Sequence, residues 1–505
     1  MKFFNTSQIR ELDQYTIEHE PISSIDLMER AARALCEKYL SAFSGQNTVC
    51  ILAGPGNNGG DALALAGLLL IAGLDVKVVL LHLGKLSDDC ETNKQRLLQK
   101  FPDCLIELKT EFIAPKITND TILIDGLFGS GLTRTLSGIF ADAVNWINQS
   151  GCQVVSIDIP SGLQGEENPD LMIPIVKANR TFSLQFPKLS FLLPENAEFV
   201  GDWDVLDIGI HPKAIEEMLS HFFFIVESDI TFLLKKRPQF SHKGTFGNAL
   251  IVSGSKGMAG ASVLSGKAAL RSGAGLVTVH GPECNRVIVQ SSVPEIIFNT
   301  DKADKYITEV VEIEKYNAVA VGPGIGAAPE TVGFLRETLN NKMSSCVLDA
   351  DALNIIGQNK ELLVLIPKNS ILTPHPKEFE RLFGLCRNSY ERILKAQRMA
   401  QKYHFFIVLK GRFTLIATPD GNLYFNSTGN SGMATAGTGD VLTGLLTGLL
   451  AQGYTPENAS KIAVYIHGLA GNIALENQSK ESLIAGDIIE SIGKAFLSLH
   501  NLRVN

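Results

Sequence analysis

The sequence predicts an α/β protein built from two domains. Short runs of β-branched and leucine residues alternate with helical segments along both halves of the chain, which is typical of parallel sheets covered by helices. The alternation restarts after a basic, turn-rich segment at 233–244. With 505 residues, 45% of them hydrophobic, the chain is long enough for two complete cores. We therefore expect one domain over 1–224 and a second over 225–505.

The composition argues against several classes of function. The chain carries 45 basic and 53 acidic residues, and this net charge of −8 disfavours non-specific binding to nucleic acid or to an anionic membrane. Its 8 scattered cysteines form no CxxC pair and are typical of free thiols in a reducing compartment. The N-terminal segment lacks the apolar core of a signal peptide, and the apolar run at 62–74 is too short to span a membrane. We expect a soluble, cytoplasmic homo-oligomer that acts on small molecules.

The first half begins with two predicted amphipathic helices, at 7–19 and 25–43. Predicted strands follow at 49–53, 76–81, 121–124 and 154–157, with helices between them at about 61–73, 88–100 and 138–149. A fold of this kind binds its ligand in the loops that follow the carboxyl ends of the strands. We therefore expect the binding site in those loops.

Three of these loops are rich in glycine and polar residues: GPGNNGGD, DGLFGSGLTR and IDIPSGL. Gly54, Gly56 and Gly59 formally match GxGxxG, but the second strand runs into His82 without the expected acidic residue. A hydride-transfer dehydrogenase is therefore disfavoured. Asp125 and Asp158 close two strands at comparable positions, so they are either partners across one crevice or helix and turn caps.

Together, the three loops resemble the N-terminal domain of NAD(P)H-hydrate epimerases, a Rossmann-like αβα sandwich. The resemblance implies that the hydrated nicotinamide nucleotide is bound by Asn57, Asn58, Gly59, Gly60, Asp61, Gly129, Ser130, Gly131, Leu132, Thr133, Arg134, Thr135 and Asp158. It implies a catalytic acid/base role for Asp158 and a potassium ion held by Asn58, Asp125 and Ser161. Ala62 and Phe140 depart from the usual glycine and tyrosine of the family pattern.

The second half repeats the αβ alternation. Strands are predicted at 249–253, 276–280, 318–321, 347–348, 371–372 and 405–409, followed by a hairpin with Asp420 and Gly421 in its turn and by two long helices at 456–476 and 486–499. Polar or glycine-rich loops again follow the strands, including SGSKGMAGA, GPGIG, LDADALN and TPHP. No GxxxxGK[ST] motif is present, so the chain is not a P-loop enzyme.

The stretch NSGMATAGTGDVLTGLL connects a glycine-rich loop to a predicted apolar helix that stops near Gly453. Free amide groups and the positive end of the helix dipole favour an anion at such a helix start. Asp440, in the first turn, is either a helix cap or a base that deprotonates a hydroxyl group attacking a phosphoryl group. A cap does not require three glycines, which favours the base.

The second half resembles the ribokinase-like superfamily, and more narrowly the ADP/ATP-dependent NAD(P)H-hydrate dehydratases, through these motifs and through HKGTFGNALIV, SGAGLVTV and VLKG. The resemblance implies a ribokinase-like αβα sandwich in which Ala261, Gly324, His375 and the catalytic Asp440 contact the hydrate. It implies that the adenine nucleotide, with magnesium, is bound by Lys410, Gly411, Arg412, Phe413, Thr414, Gly437, Thr438 and Gly439. Ala436 replaces a usual glycine, and His375 could instead serve only a turn.

The two resemblances predict a bifunctional enzyme. The first half would interconvert the R and S epimers of NADHX and NADPHX. The second would dehydrate the S form to NAD(P)H, converting ADP to AMP, or ATP to ADP, with release of phosphate. Two alternatives remain open at this point: a small-molecule kinase that releases a stable phosphorylated product, and a first half that only binds a nucleotide or a partner.

Overall fold

The computed structural model describes residues 1–43, 48–132, 134–168, 173–341 and 345–501. The chain divides into two compact units, Lys2–Ser220 and His221–Asn505, the latter with Met1. Each unit contains a mainly parallel sheet with helices packed against it. Within the described ranges, no helix is long and apolar enough to cross a membrane.

The elements of the N-terminal unit alternate as the sequence predicts. In chain order they are β1 Lys2–Phe3, α1 Thr6–His19, α2 Ser24–Ala42, β2 Val49–Ala53, α3 Asn57–Ile71, β3 Val76–Leu81, α4 Asp88–Lys100, β4 Leu105–Leu108, β5 Ile122–Gly126, α5 Ile139–Gln149, β6 Gln153–Ile157, β7 Arg180–Leu184, α6 Ala197–Val200, β8 Asp202–Leu206 and α7 Pro212–Glu217. Two 3₁₀ turns, Leu189–Leu192 and Pro194–Asn196, precede α6.

The sheet of this unit has the order β4-β3-β2-β5-β6-β7-β8, and every strand pair is parallel. The chain runs outward from β2 to β4 and then returns to β5 on the other side. The sheet therefore has a topological switch point between β2 and β5, where open α/β sheets bind their ligands. Apolar clusters cover both faces of the sheet, so side chains that approach ligand are confined to its carboxyl edge.

The start of α3 corrects one expectation. The helix begins at Asn57, not near residue 61, so NNGGD forms its first turn. Its two glycines fit because neighbouring atoms leave no room for a side chain: a Cβ at Gly59 would lie 1.9 Å from the Gly54 carbonyl oxygen, and one at Gly60 would lie 2.7 Å from the Met28 sulfur. Close packing overrides the low helix propensity of glycine here.

The C-terminal unit contains the larger set of elements. In chain order they are β9 Phe222–Ile225, α8 Glu227–Leu233, β10 Asn248–Val252, α9 Ala259–Arg271, β11 Leu276–Pro282, α10 Arg286–Ser292, β12 Ile297–Asp301, β13 Ala318–Val321, α11 Pro329–Asn340, β14 Val347–Leu348, α12 Ala350–Gln358, β15 Ile371–Leu372, α13 Pro376–Phe383, α14 Ser389–Tyr403, β16 Phe406–Leu409, β17 Leu415–Ala417, β18 Leu423–Asn426, α15 Thr438–Ala451, α16 Pro456–Ala474 and α17 Ala485–Asn501. Short 3₁₀ turns lie at Lys243–Phe246, Glu283–Asn285, Ile313–Lys315, Lys360–Leu365 and Ser431–Met433.

The strands of this unit follow the order β9-β18-β17-β16-β15-β14-β13-β10-β11-β12. All neighbours are parallel except β17, which pairs antiparallel with β16 and β18 and confirms the predicted hairpin. The switch point lies between β10 and β13. Helix α15 packs tightly on α9, since a Cβ at Gly444 would lie 2.1 Å from the Ser265 carbonyl oxygen. This packing fixes the first turn of α15, which carries Asp440.

Candidate active sites

The N-terminal unit contains a cavity of about 500 Å³ whose walls come from α1, the first turn of α3, the loop after β5, and the ends of β6 and β7. The predicted hydrate-binding residues that line it are Asn57, Asn58, Asp61, Gly129, Ser130, Gly131, Leu132, Arg134 and Asp158. Gly59 and Gly60 are instead buried in packing contacts, and Thr135 is exposed outside this lining. Thr133 lies outside the described residues. The structure thus brings most of the predicted set to one cavity.

Asp158 is held in a strained and strongly constrained position at the end of β6. Its φ of 65° is unusual for a residue with a side chain, and such strain often accompanies function. The Ser130 amide donates to its Oδ2 at 3.3 Å, while the Leu184 amide donates to Oδ1 at 3.3 Å. Oδ1 also accepts a hydrogen bond from the Lys188 ammonium group. Oδ2 therefore keeps more free capacity to accept a proton than Oδ1.

Lys188 is a site residue that the sequence analysis missed. Only 2% of its side chain is exposed, and besides Asp158 its ammonium group donates to the Ser183 hydroxyl group at 3.0 Å and to the Phe186 carbonyl at 3.2 Å. A buried ammonium group needs such oxygen partners to offset its desolvation. A lone lysine in the apolar run FPKLSFLL was the available signal, because lysine is rarely buried without a paired charge.

Two further carboxyl groups line the same cavity, Asp61 on α3 and Asp13 on α1. Burial raises the pKa of Asp61 well above its usual value, and Asp158 and Asp13 raise it further. Burial also raises the pKa of Asp13 to about 7; Asp158 adds to this shift and Lys188 opposes it. The cavity therefore combines an ion-paired aspartate with aspartates that retain protons near neutrality.

Asp125 lies at the carboxyl end of β5 and is fully buried. Its carboxylate accepts from the Ser161 hydroxyl group at 2.6 Å, the Ser161 amide at 2.8 Å and the Ser156 hydroxyl group at 2.8 Å. Burial raises the pKa of Asp125, and the bonds from Ser161 and Ser156 oppose that shift. Asn58 has a buried side-chain nitrogen without a hydrogen-bond partner among the described residues. Asp125 and Ser161, two of the three residues predicted to hold potassium, are thus in direct hydrogen-bond contact.

In the C-terminal unit, Asp440 lies in the first turn of α15, with Gly437 as the N-cap. Gly437 has a φ of 88°, a left-handed conformation that favours glycine. Within the described ranges no group donates a hydrogen bond to the Asp440 carboxylate, so it is not a helix cap. Burial raises the pKa of Asp440 to about 7; Asp349 raises it further and Lys410 opposes the shift. A carboxylate with such a pKa is suited to act as a general base at neutral pH.

Lys410 lies beside this helix start, and a Cβ at Gly439 would lie 3.4 Å from its ammonium nitrogen. Its direct partner is the buried Asp349, at 2.9 Å, whose other oxygen accepts from the Thr443 hydroxyl group at 2.7 Å. Glu378 lies 3.9 Å from the same ammonium group. Burial would lower the pKa of Lys410, but Asp349 and Glu378 raise it above its usual value. Asp349 belongs to the LDADALN loop that follows a predicted strand, but neither Asp349 nor Glu378 was among the predicted site residues.

The predicted hydrate-contacting residues of this unit differ in their surroundings. Gly324, with a φ of 64°, lies against α9, since a Cβ there would be 3.0 Å from the Ala261 Cβ. His375 is the N-cap of α13, and its Nδ1 accepts from the Lys377 and Glu378 amides at 3.2 and 3.3 Å. Burial and Lys410 lower the pKa of His375, which favours the neutral ring. His375 therefore has a structural role as a helix cap, and its ring remains partly exposed.

The predicted nucleotide loop, Lys410 to Thr414, connects β16 to β17. Its outer part is open: Gly411 and Arg412 are exposed, and the Thr414 hydroxyl group donates to the Gly411 carbonyl at 3.0 Å. The Arg412 guanidinium group lies 4.7 Å from the centre of the Phe413 ring. Gly437, Thr438 and Gly439 form the start of α15, beside Lys410. The two predicted nucleotide-binding segments thus meet at the Lys410 ammonium group.

Comparison with known proteins matches both units. Residues 249–494 match a family model described as NAD(P)H-hydrate dehydratase, and residues 24–190 match one described as YjeF-related protein N-terminus. A ribokinase-like superfamily protein from Enterococcus faecalis shares 26% identity at a TM-score of 0.50, covering 56% of this chain and 98% of that one. An ADP/ATP-dependent NAD(P)H-hydrate dehydratase from Bacillus subtilis, co-crystallised with ATP and Mg²⁺, shares 32% identity at a TM-score of 0.48, covering 55% and 98%.

Relatives that match over the full length carry both units in one chain. A bifunctional NAD(P)H-hydrate repair enzyme from Moorella thermoacetica is 33% identical over 97% of this chain and 96% of its own length. One from Thermofilum pendens is 32% identical over 99% and 97%. The predicted α/β fold classes are confirmed, and the chain belongs to the family of bifunctional NAD(P)H-hydrate repair enzymes.

Proposed function

We propose that this chain restores hydrated NADH and NADPH in two steps. Its N-terminal domain, residues 1–224, interconverts the R and S hydrates, and its C-terminal domain, residues 225–505, dehydrates the S form with ADP or ATP. The observation that supports this most strongly is Asp440, a carboxylate with a pKa of about 7 and no capping role, at a glycine-rich helix start beside Lys410. Full-length similarity to bifunctional repair enzymes supports the same assignment.

In the dehydratase step, Asp440 takes the proton of the C6 hydroxyl group as its oxygen attacks the terminal phosphorus of the nucleotide. The amides at the start of α15 and the Lys410 ammonium group stabilise the negative charge on the transferred phosphoryl group. Phosphate then leaves from C6 with the bonding electrons, water takes a proton from C5, and the C5–H electrons form the C5=C6 double bond of the reduced cofactor. Phosphorylation helps because phosphate is a better leaving group than hydroxide.

Magnesium fits this site mainly through the nucleotide. The described residues contain no cluster of three or more histidine, cysteine or acidic side chains suited to a metal, and both Asp349 oxygens already accept bonds. Magnesium commonly retains several waters and binds substrate phosphates with few protein ligands. When bound, the ion would shield the charge of the phosphates, leaving Lys410 and Asp440 to position the nucleotide and move the proton.

Potassium fits the donor set at Asn58, Asp125 and Ser161, which offers only oxygen ligands of the type that hard cations prefer. The unpartnered Asn58 amide supports this assignment, because the alternative orientation of the amide would present its oxygen instead. A bound cation would also compensate the buried charge of Asp125.

We further propose that the chain works in the cytoplasm, since all 8 cysteines are free thiols.

The proposed function is tested by incubating the protein with a mixture of both hydrate epimers and ADP or ATP while following the absorbance of the reduced cofactor. We expect complete recovery of both epimers with the parent chain and none with Asp440→Ala. Accumulation of a stable phosphorylated hydrate without reduced cofactor would instead identify a small-molecule kinase. Recovery of only the S fraction by the parent chain would show that the N-terminal domain is not an epimerase.

A further inference from the structure

Helix α1 contributes directly to the N-terminal cavity, although the αβ alternation of the sheet does not include it. An Asn5 capping box fixes the start of the helix, and Leu12 and Thr16 anchor one face in the core. Ile9, Arg10 and Asp13 occupy the adjoining face and line the cavity that Asp158 also lines. Helical spacing places these three side chains together, so α1 presents one carboxyl group to the cavity.

The Asp13 carboxyl group has no hydrogen bond or ion pair within the described ranges. The basic neighbour on its own helix, Arg10, donates instead to the Gly131 carbonyl at 3.2 Å. Asp158, in contrast, accepts from Lys188 and from two amides. A partly buried carboxyl group left without a partner is unfavourable for folding, so its presence in the cavity that Asp158 also lines indicates a role toward the ligand.

The surroundings of Asp13 act on its pKa and differ from those of Asp158, which is paired with Lys188. The charges that act on Asp13 are those of Asp158, Asp61 and Lys188. Arg10, on the same helix, shares the cavity lining. Burial raises the pKa of Asp13 to about 7. Two carboxyl groups whose surroundings differ in this way are the usual arrangement of an acid and a base in one site.

We propose that Asp13 is the second proton-transfer residue of the epimerase site and acts as the acid opposite the base Asp158. This inference rests on the proposed epimerase function and adds a residue that neither the sequence motifs nor the resemblance indicates. It also gives α1 a catalytic role, because that helix supplies the carboxyl group.

The pair is sufficient to invert C6 without another reactant. The Asp158 carboxylate takes the C6 hydroxyl proton, the electrons form a C6=O bond, and the C6–N1 bond breaks with its electron pair going to N1. Asp13 gives its proton to N1. In the reverse direction N1 attacks the other face of the aldehyde, returns its proton to Asp13, and the oxygen recovers the proton from Asp158. Both residues end as they began, and the product is the other epimer.

The test uses the full-length chain, whose own dehydratase converts each S hydrate into a measurable signal. Purified R hydrate and excess ADP are supplied, and recovery of reduced cofactor is compared for the parent, Asp13→Asn, Asp13→Glu and the control Glu11→Gln. Glu11 is an exposed acid on the same helix. A parallel assay with S hydrate reports the dehydratase alone, and the fluorescence of Trp146 and Trp203, both in the N-terminal unit, shows whether that unit is folded in each variant.

We expect Asp13→Asn to lower kcat for the R hydrate by about 10²–10⁴-fold, the usual range for a lost general acid or base, with KM changed little. Asp13→Glu should recover part of kcat, and Glu11→Gln should behave as the parent. An unchanged kcat in Asp13→Asn, or a rise in KM alone, would overturn the inference and leave Asp13 as a binding or surface residue. Failure of the parent itself to convert the R hydrate would instead overturn the proposed epimerase function.

Discussion

The catalytic aspartates proposed for the two units are held in opposite ways. Asp158 is buried, its backbone is strained, and its carboxylate bonds directly to Lys188. Asp440 lies in a regular helical turn without a hydrogen bond among the described residues, and the nearby Lys410 pairs with Asp349 instead. A direct ion pair with Lys188 neutralises the Asp158 carboxylate. The pKa of Asp440 is instead set by its burial and by the nearby charges of Asp349 and Lys410.

The difference shows that a lysine near an aspartate can serve different purposes. Lys188 neutralises the charge that Asp158 must keep in a buried position. Lys410 is kept charged by Asp349 and Glu378, so it remains available to a phosphate group while Asp440, with a pKa of about 7, exchanges a proton. The ion pair with Lys188 favours Asp158 as a base that stays in one position. The arrangement at Lys410 favours Asp440 as a base that acts beside a phosphate group.

The largest expected effect comes from Asp440→Asn, which keeps the shape of the side chain but removes the base. Dehydration of S hydrate should fall by about 10²–10⁴-fold, measured as recovery of reduced cofactor with saturating ADP. Asp487 occupies the first turn of α17 in the same unit and accepts from the Ile484 amide at 3.0 Å, so Asp487→Asn is the matched control and should retain the rate. A parental rate in Asp440→Asn would show that the contrast between the two aspartates has no catalytic meaning.

Lys188→Met tests whether the ion pair with Lys188 compensates the buried charge of Asp158. Removing the ammonium group leaves Asp158 buried without its charged partner, which should lower the free energy of unfolding of this unit by about 3–5 kcal/mol. Both tryptophans, Trp146 and Trp203, lie in the N-terminal unit, so urea unfolding followed by tryptophan fluorescence reports on it specifically.

Two variants serve as controls for this measurement. Lys177→Met removes the exposed ion pair with Glu198 and should cost no more than about 1 kcal/mol. The double variant Lys188→Met, Asp158→Asn should recover part of the loss, because the buried charge is then absent. Equal stability losses for Lys188→Met and Lys177→Met would contradict the account of Asp158.

The pH dependence of kcat/KM for the S hydrate tests whether Asp440 is the base. Only its ionised form can accept the hydroxyl proton, and its pKa is about 7. The kcat/KM for S hydrate should therefore rise with pH up to about 7, level off above it, and fall about tenfold for each pH unit below. A profile that stays flat from pH 5 to 8 would exclude Asp440 as the base.

The smallest expected effect concerns His375, which both caps α13 and is predicted to contact the hydrate. Asparagine is also a good N-cap, so His375→Asn should keep the stability that His375→Ala loses, about 1 kcal/mol. We expect both variants to raise KM for S hydrate while kcat changes little. A parental KM in His375→Asn would limit the histidine to its capping role.

Much of this fold could be predicted from the sequence because apolar runs mark buried parallel strands. The predicted 49–53, 76–81, 318–321, 347–348 and 371–372 match β2, β3, β13, β14 and β15. Strands β8 and β12 were not predicted, because their sequences DWDVL and IFNTD carry polar residues and form edge strands that are only partly buried. Helix bounds near glycines were also uncertain, as the start of α3 shows.

The site was predictable where a motif follows a strand and not where a lone residue reaches in from elsewhere. Asp158 and Asp440 lie in motifs that can be read locally. Lys188, Asp13 and Glu378 come from elements distant along the chain, and only the folded arrangement brings them to their partners. Their chemistry depends on burial and neighbouring charge, which no local pattern specifies.

The assignment of Asp158 to the epimerase reaction and Asp440 to the dehydratase reaction is tested by giving purified R and S hydrates separately to full-length Asp158→Asn with ADP. We expect the S hydrate to be converted at the parental rate and the R hydrate to be converted no faster than its uncatalysed epimerisation allows. Conversion of both hydrates at parental rates would contradict it.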